Sequence, residues 1–338
     1  MQDVRSKDFT SMTTQWKDIG LPMTVDQGPV GYRWTTDQVL DKLPQEHSVK
    51  GKVFIVTGGH SGLGEETTRA LAAHGATVIV GSRSKSAADE VIAKIHKSHP
   101  DAKVQWIMLD LSDLDSVRQF VKEFHATGLP LYSIICNAGV MACPYGKTKQ
   151  GFETQFGTNH LGHFLLIKLL IDDIVKSGGG RVVCVSSIAH RAGGIRFDDY
   201  NFSDGKEYEP WKGYGQSKTA NILCAKGFNE HYASKGVECF SLHPGGIRTP
   251  LQRHVAESKM LENGWINEKG EVHPGFKTVA QGAATQVLAA TSPDLKGKGG
   301  AYLEDCHVKE PLTEQAKDEM GEYSRKLFEL SEKLVNAA

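Results

Sequence analysis

A chain of 338 residues with 39 Lys plus Arg against 40 Asp plus Glu carries a net charge of -1. That length buries a core without help from disulfides or metals, as one large α/β domain or two small ones. The balanced charge gives no electrostatic reason for nucleic acid or an anionic membrane as partner, and favours small-molecule chemistry.

The first residues, "MQDVRSKDFTSMTTQWKD", are too polar for a secretory signal, and residues 1–48 hold no sustained period. They are expected to form an extension on the surface of the main domain. No apolar run approaches the ~20 residues that span a bilayer. The cysteines at 136, 143, 184, 224, 239 and 306 include no C-x-x-C pair and read as core thiols of a reduced compartment. A soluble, cytoplasmic protein without a membrane span is expected.

From Lys52 onward short β-branched runs alternate with amphipathic stretches: "KVFIVT", then 63–74, "TVIVGS", then 86–97, "KVQWIML", then 115–126. The alternation continues through "YSIICN", 152–177, "RVVCVSS", 213–235 and "VECFSLH". Continuous apolar strands separated by helices predict a parallel sheet covered on both faces. Right-handed connections then make a doubly wound α/β domain. "GAYLE" at 300–304 adds a last strand, for seven in a mainly parallel sheet, and a charged helix follows over 313–335.

The turn after the first strand, "TGGHSGLG", brings Gly58, His60, Ser61, Gly62, Leu63 and Gly64 to a helix start. Glycines there let the backbone approach a pyrophosphate, and the free N–H groups of the helix attract an anion. The spacing is G-x-x-x-G-x-G, not G-x-G-x-x-G, and a ligand-free tight turn would show the same residues. The second strand ends in Ser82 and Arg83, where an acid would accept hydrogen bonds from both ribose hydroxyls. With no carboxylate to repel a 2′-phosphate and a guanidinium placed to pair with one, NADP(H) is the expected cofactor; a solvated arginine is the alternative. Asp110 and Leu111 end the third strand, where a carboxylate meets an adenine amino group. "CNAG" supplies the small residues of close approach at Asn137, Ala138 and Gly139.

Three stretches read Tyr-x-x-x-Lys. Pro210 interrupts the pair Tyr208 and Lys212, and Tyr145 and Lys149 lie in a polar loop without apolar periodicity. Tyr214 and Lys218 continue into Ile222, Leu223 and Phe228, so they share one face of a packed helix, about 6 Å apart at Cβ. An ammonium there lowers a phenol from its ordinary value near ~10, making Tyr214 a proton donor to a carbonyl or an acceptor from an alcohol. The same ammonium can hold the cofactor ribose. Ser187, just past the fifth strand, is chosen to orient the substrate oxygen, with Ser186 as its runner-up.

In order, "TGGHSGLG", "CNAG", "NHLGH", "VSSIAH", "YGQSK" and "HPGGIRT" resemble the short-chain dehydrogenase/reductase family over residues 50–305. "NHLGHFLL" and "LEDC" resemble its retinol-dehydrogenase-like and protochlorophyllide-reductase-like branch. The resemblance implies a single Rossmann domain and a tetrad at Ser187, Tyr214, Lys218 and Asn159. Asn159 would organise a water that relays protons from Lys218; a side chain bonded to the backbone and bending its helix is the alternative. Pro244, Gly245, Ile247 and Thr249 match the turn expected near the nicotinamide carboxamide. No metal is implied, and His160, His163, His190 and His243 read as structural. Many relatives pair subunits through the helices carrying Asn159 and Tyr214, which implies a homodimer or homotetramer.

The gap of 27 residues from Ser187 to Tyr214 is about twice the family's. The expected organisation is an extension over 1–48, a Rossmann domain over 49–311 with an insert over 191–213 and a substrate lid over 250–275, and a C-terminal helix over 312–338. The expected activity is NADP(H)-dependent interconversion of a carbonyl and an alcohol on a small, rather apolar substrate. Reduction of an activated C=C bond and non-catalytic NADP(H) sensing are the alternatives.

Overall fold

Runs buried on both faces have no polar side to present to water, so each becomes an inner strand. The computed structural model describes residues 32–338. Its strands are β1 (Val53–Thr57), β2 (Thr77–Ser82), β3 (Lys103–Met108), β4 (Leu131–Cys136), β5 (Gly180–Val185), β6 (Val237–His243), β7 (Tyr302–Glu304) and β8 (His307–Lys309). They form one sheet in the order β3-β2-β1-β4-β5-β6-β7-β8, parallel throughout except for the β7/β8 pair. Strand order reverses between β1 and β4, which opens a crevice at their carboxyl ends.

The sheet has eight strands, one more than the sequence suggests. β8 spans three residues, two of them exposed, and is too short to show a period. It returns from β7 through Asp305 and Cys306, both left-handed at φ 53 and 62, as a tight two-residue hairpin demands.

Alternate residues of each strand feed two cores. Ile55, Ile134 and Cys184 meet Phe120, Phe164 and Phe228 of helices Leu114–Ala126, Gly162–Lys176 and Pro210–Tyr232. Phe54, Val56 and Phe240 meet Leu71, Val91 and Val287 of helices Gly62–Ala73, Lys85–Ser98 and Val279–Thr291. The helix Val279–Thr291 is absent from the sequence reading. Its small side chains draw no stripe, although Thr278 and Gln281 cap each other's backbone N–H at its start.

Three expected elements differ in detail. The tyrosine helix starts at Pro210, not 213, because proline suits a first helical position that needs no N–H donor. The 152–177 stretch divides into Thr154–Phe156, a wide π turn over Gly157–Leu161, and Gly162–Lys176. The C-terminal helix breaks at left-handed Asp318 into Glu314–Lys317 and Glu322–Ala337, and the Asp318 carboxylate accepts from Tyr323 and Ser324 N–H.

The N-terminal segment, from Tyr32, does more than lie on the surface. Helix Thr36–Asp41 buries Val39 and Leu40 against helices Gly62–Ala73 and Val279–Thr291, while Arg33 donates to the carbonyls of Pro274 and Phe276. The rest of the extension, 1–31, lies outside the described residues.

Helix Glu322–Ala337 covers the faces of Gly162–Lys176 and Pro210–Tyr232. Phe328 meets Phe164 and Phe228 at ring distances of 5.1 and 5.0 Å, and Lys168 pairs with Glu332 at 2.8 Å. Among the described residues no helix is long and apolar enough to cross a membrane.

Candidate active site

The glycine turn forms because three of its positions admit little else. Gly58 and Gly62 are left-handed at φ 66 and 55. A Cβ on Gly58 would stand 3.1 Å from the Ala138 Cβ, and one on Gly62 3.4 Å from Thr249. Gly64 packs directly on the carbonyl of Gly58 and on Asn137. Ser61 and Leu63 frame the start of helix Gly62–Ala73, whose first N–H groups take no side-chain cap.

Residues at the other strand ends converge on this turn. Ser82 is buried and accepts from the Trp106 indole at 3.1 Å. Arg83 is exposed and takes no salt bridge among the described residues, yet its charge lies close enough to help burial hold His60 below its ordinary value. The Asp110 carboxylate accepts from Ser112 N–H and hydroxyl, and Leu111 is buried. The Asn137 amide donates to the Thr57 carbonyl at 2.9 Å, and Ala138 N–H donates to the Thr57 hydroxyl at 3.0 Å. Beyond β6, Gly245 at φ 101 turns the chain against Lys277. Ile247 packs on Gly282, and Thr249 caps the turn Pro250–His254.

The turn, the free guanidinium and the small residues after β4 fit a dinucleotide. Left-handed Gly58 and Gly62 leave a cradle that no Cβ fills, and His60 Nδ1 in the same turn is buried without a partner.

The tetrad residues come together beyond β4 and β5. Tyr214 is buried, with the Lys218 ammonium 5.5 Å from its ring centroid. The Ser187 hydroxyl is the group acting on the phenol, and it accepts from Ala189 N–H at 3.1 Å. Ser186 is committed elsewhere, donating to the Lys218 carbonyl at 2.7 Å. The Asn159 amide clamps Val140 by both its N–H and its C=O and donates to Ser217. A Cβ on Gly139 would meet Asn159 Oδ1 at 3.1 Å and Lys218 Nζ at 3.7 Å, so both groups flank that glycine.

One expectation needs correction. Lys218 does not pull the phenol down: burial pushes Tyr214 well above its ordinary value, with Ser187 the one opposing group. The ammonium donates to the Val185 carbonyl at 2.9 Å, and burial lowers it to about 8. Tyr214 is therefore a protonated acid at neutral pH. The other two pairs stand apart as expected: Lys212 bonds Glu209, and exposed Lys149 bonds Asp113 and Asp115.

The groups behind this site include two histidines that the sequence reads as structural, and Gln286, which the sequence reading does not name. His163 Nδ1 bonds the Asn159 carbonyl at 2.9 Å, so it carries the proton, and Nε2 accepts from the Thr57 hydroxyl at 2.8 Å. His190 likewise donates to the Ser187 carbonyl and accepts from Leu312 N–H. Gln286 donates to Thr67 and Asn137. Among the described residues no group of His, Cys, Asp and Glu is arranged to hold a metal ion.

Burial lowers His160 to about 3, His163 to about 4 and His243 to about 3. A depressed folded value contributes stability above the unfolded value near 6.5 that is lost as pH falls. Glu153, raised by burial to about 7, acts in the opposite sense, its contribution being lost as pH rises. With three imidazoles against one carboxyl, Tm is expected to be lower at pH 5 than at pH 7. Thermal unfolding at the two pH values checks this, and an equal or higher Tm at pH 5 contradicts it.

An apolar cluster packs around Tyr214. Val255, Met260 and Ile266 pack with Met141, Ala142 and Tyr214, and Trp211 stands edge-on to Tyr214 at 6.1 Å and to Trp265 at 6.0 Å.

Comparison with known proteins gives the family. The family model for "short chain dehydrogenase" matches residues 52–260. The chain is 40% identical over 321 residues to short-chain dehydrogenase/reductase prx1 of Penicillium roqueforti, covering 91% of this chain and 92% of that one. It is 40% identical to retinol dehydrogenase 12 of Mus musculus, over 76% of this chain and 79% of that one. A solved structure from Mycobacterium paratuberculosis superposes with a TM-score of 0.67 at 31% identity, covering 90% of this chain and 98% of that one.

Proposed function

This chain belongs to the short-chain dehydrogenase/reductase family of nicotinamide-dependent oxidoreductases, and we propose that it reduces a carbonyl on an apolar substrate with NADPH. The observation that carries this reading is a buried, protonated Tyr214 with Ser187 against its phenol and Lys218 beside its ring, within an apolar cluster.

The cofactor would supply the hydride from its nicotinamide ring. Gly58 to Gly64 would cradle its pyrophosphate at the helix start, Arg83 its 2′-phosphate and Asp110 its adenine. Asn137 to Gly139 would give it close approach, and Pro244 to Thr249 would hold its carboxamide. Ser187 orients the substrate oxygen. Tyr214 passes its proton to that oxygen as negative charge grows there, and the Ser187 hydroxyl, the one group that opposes burial at the phenol, stabilises the phenolate left behind. Asn159 holds the turn that carries the return path for the proton. The apolar lid excludes water during the transfer, and it must open to admit substrate because Tyr214 is buried.

Arg83→Ala tests the cofactor assignment. A charge-assisted bond to phosphate is worth about 1.5–3 kcal/mol, so Kd for NADPH is expected to rise roughly 10- to 100-fold with Kd for NADH unchanged. Fluorescence titration of both cofactors reads this. An unaltered NADPH affinity, or wild-type protein that prefers NADH, overturns it.

A further inference from the structure

The insert before Tyr214 plays no part in that proton transfer, yet it is built under backbone strain. Phe202, Ser203, Asp204 and Gly205 run consecutively through left-handed space at φ 54, 48, 55 and 92. Such a conformation is unfavourable for each non-glycine residue and persists only where the surroundings enforce it. A second strained residue, Ala142 at φ 48, lies in the apolar wall beside Tyr214.

One closed ring of hydrogen bonds joins the two places. Ala142 N–H donates to Gln155 Oε1 at 2.8 Å, Gln155 Nε2 donates to the Tyr208 hydroxyl at 2.6 Å, and that hydroxyl donates to the Cys143 carbonyl at 2.8 Å. The other Gln155 N–H goes to the carbonyl of Pro210, first residue of the Tyr214 helix, at 2.8 Å. Gln155 is thus fully buried with every polar atom used. Tyr208 in turn stands edge-on to Phe202 and to Tyr145, at 5.6 and 5.3 Å. Gly213, next to Tyr214, makes room for both partners: a Cβ there would stand 2.6 Å from Tyr208 and 3.0 Å from Gln155 Nε2.

We propose that Gln155 and Tyr208 are positioning residues that set substrate specificity. They hold Ala142 in its left-handed form within the wall Met141–Cys143 against the pocket, so the insert decides how bulky an apolar group beside the reacting carbonyl is accepted. Without the ring, Ala142 relaxes toward negative φ, a rotation that swings Met141 away from Tyr214. This inference rests on the reading of Tyr214 as proton donor to a carbonyl.

Tyr208→Phe keeps the aromatic packing and removes both hydroxyl bonds. With NADPH, the probes are 4-nitrobenzaldehyde as the small carbonyl and 9,10-phenanthrenequinone as the bulky one. The ratio of their kcat/KM values is expected to change at least fivefold through KM, with kcat within twofold and Kd for NADPH unchanged. Hydrogen exchange at the amides of residues 140–143 and 145 is expected to quicken at least tenfold while 62–73 keep their rates. Gly213→Ala, which presses on the same two side chains, is expected to show the same pattern. An unchanged probe ratio overturns the specificity role, and unchanged exchange at those wall amides overturns the ring as the support of the wall. Wild-type protein that turns over neither probe counts against the carbonyl-reductase reading instead, and the exchange rates then decide the positioning role alone.

Discussion

Tyr214→Phe is expected to lower kcat for NADPH-dependent carbonyl reduction about 10³-fold while Kd for NADPH stays within twofold. The substitution removes one oxygen and leaves the ring that packs on Trp211 and the lid. Folding is thus spared, and the loss isolates the proton. Burial keeps the phenol protonated, with the Ser187 hydroxyl beside it. Steady-state kinetics with a cofactor titration check the split. A loss below tenfold would mean that the proton comes from Ser187 or water and that Tyr214 serves only to shape the pocket.

The second large effect is expected at Gly64. Its backbone angles are open to any residue, so the restriction is one of approach: a Cβ would press into the Gly58 carbonyl and stand 2.6 Å from Asn137 Nδ2. Both neighbours belong to the cradle: the first is backbone, and the Asn137 amide is held by its bond to the Thr57 carbonyl. Gly64→Ala is therefore expected to drive the helix start from the turn, raising Kd for NADPH at least 100-fold and removing about 1–3 kcal/mol of stability. Gly128→Ala serves as control. Gly128 is left-handed at φ 66 with open space around it, so it carries backbone strain alone and should leave cofactor affinity unchanged. Calorimetry and cofactor titration of the pair separate the effects; equal affinities for NADPH in both variants contradict the assignment of the turn.

What could be read in advance followed local rules. Strands β1, β2 and β4 to β6 were visible because each is apolar on both faces, the edge strand β3, exposed at Lys103, Gln105 and Met108, by its place in the alternation, and the choice of Tyr214 over Tyr208 needed only the position of Pro210. The helix Val279–Thr291 escaped because Ala and Gly fill its buried face. The direction of the Lys218 ammonium escaped as well. Spacing places it near the phenol, but its bond to Val185 depends on a strand 33 residues away. The supports of the site are more distant still. Thr57 and His163 are 106 residues apart, and Gln155 and Tyr208 are 53 apart. No period links such pairs, and the left-handed turn begins at Phe202 and Ser203, which local preference would keep right-handed or extended.

Hydride and proton have separate destinations, and following them tests the central claim most directly. Wild-type protein with NADPH deuterated at the transferable position of its nicotinamide would be offered aldehydes, ketones, quinones and enones, with products read by mass spectrometry and NMR. Deuterium on the carbinol carbon, lost when Tyr214→Phe replaces the wild type, is the predicted result. Deuterium on the β-carbon of an enone, or tight NADPH binding without transfer to any of these compounds, would contradict it.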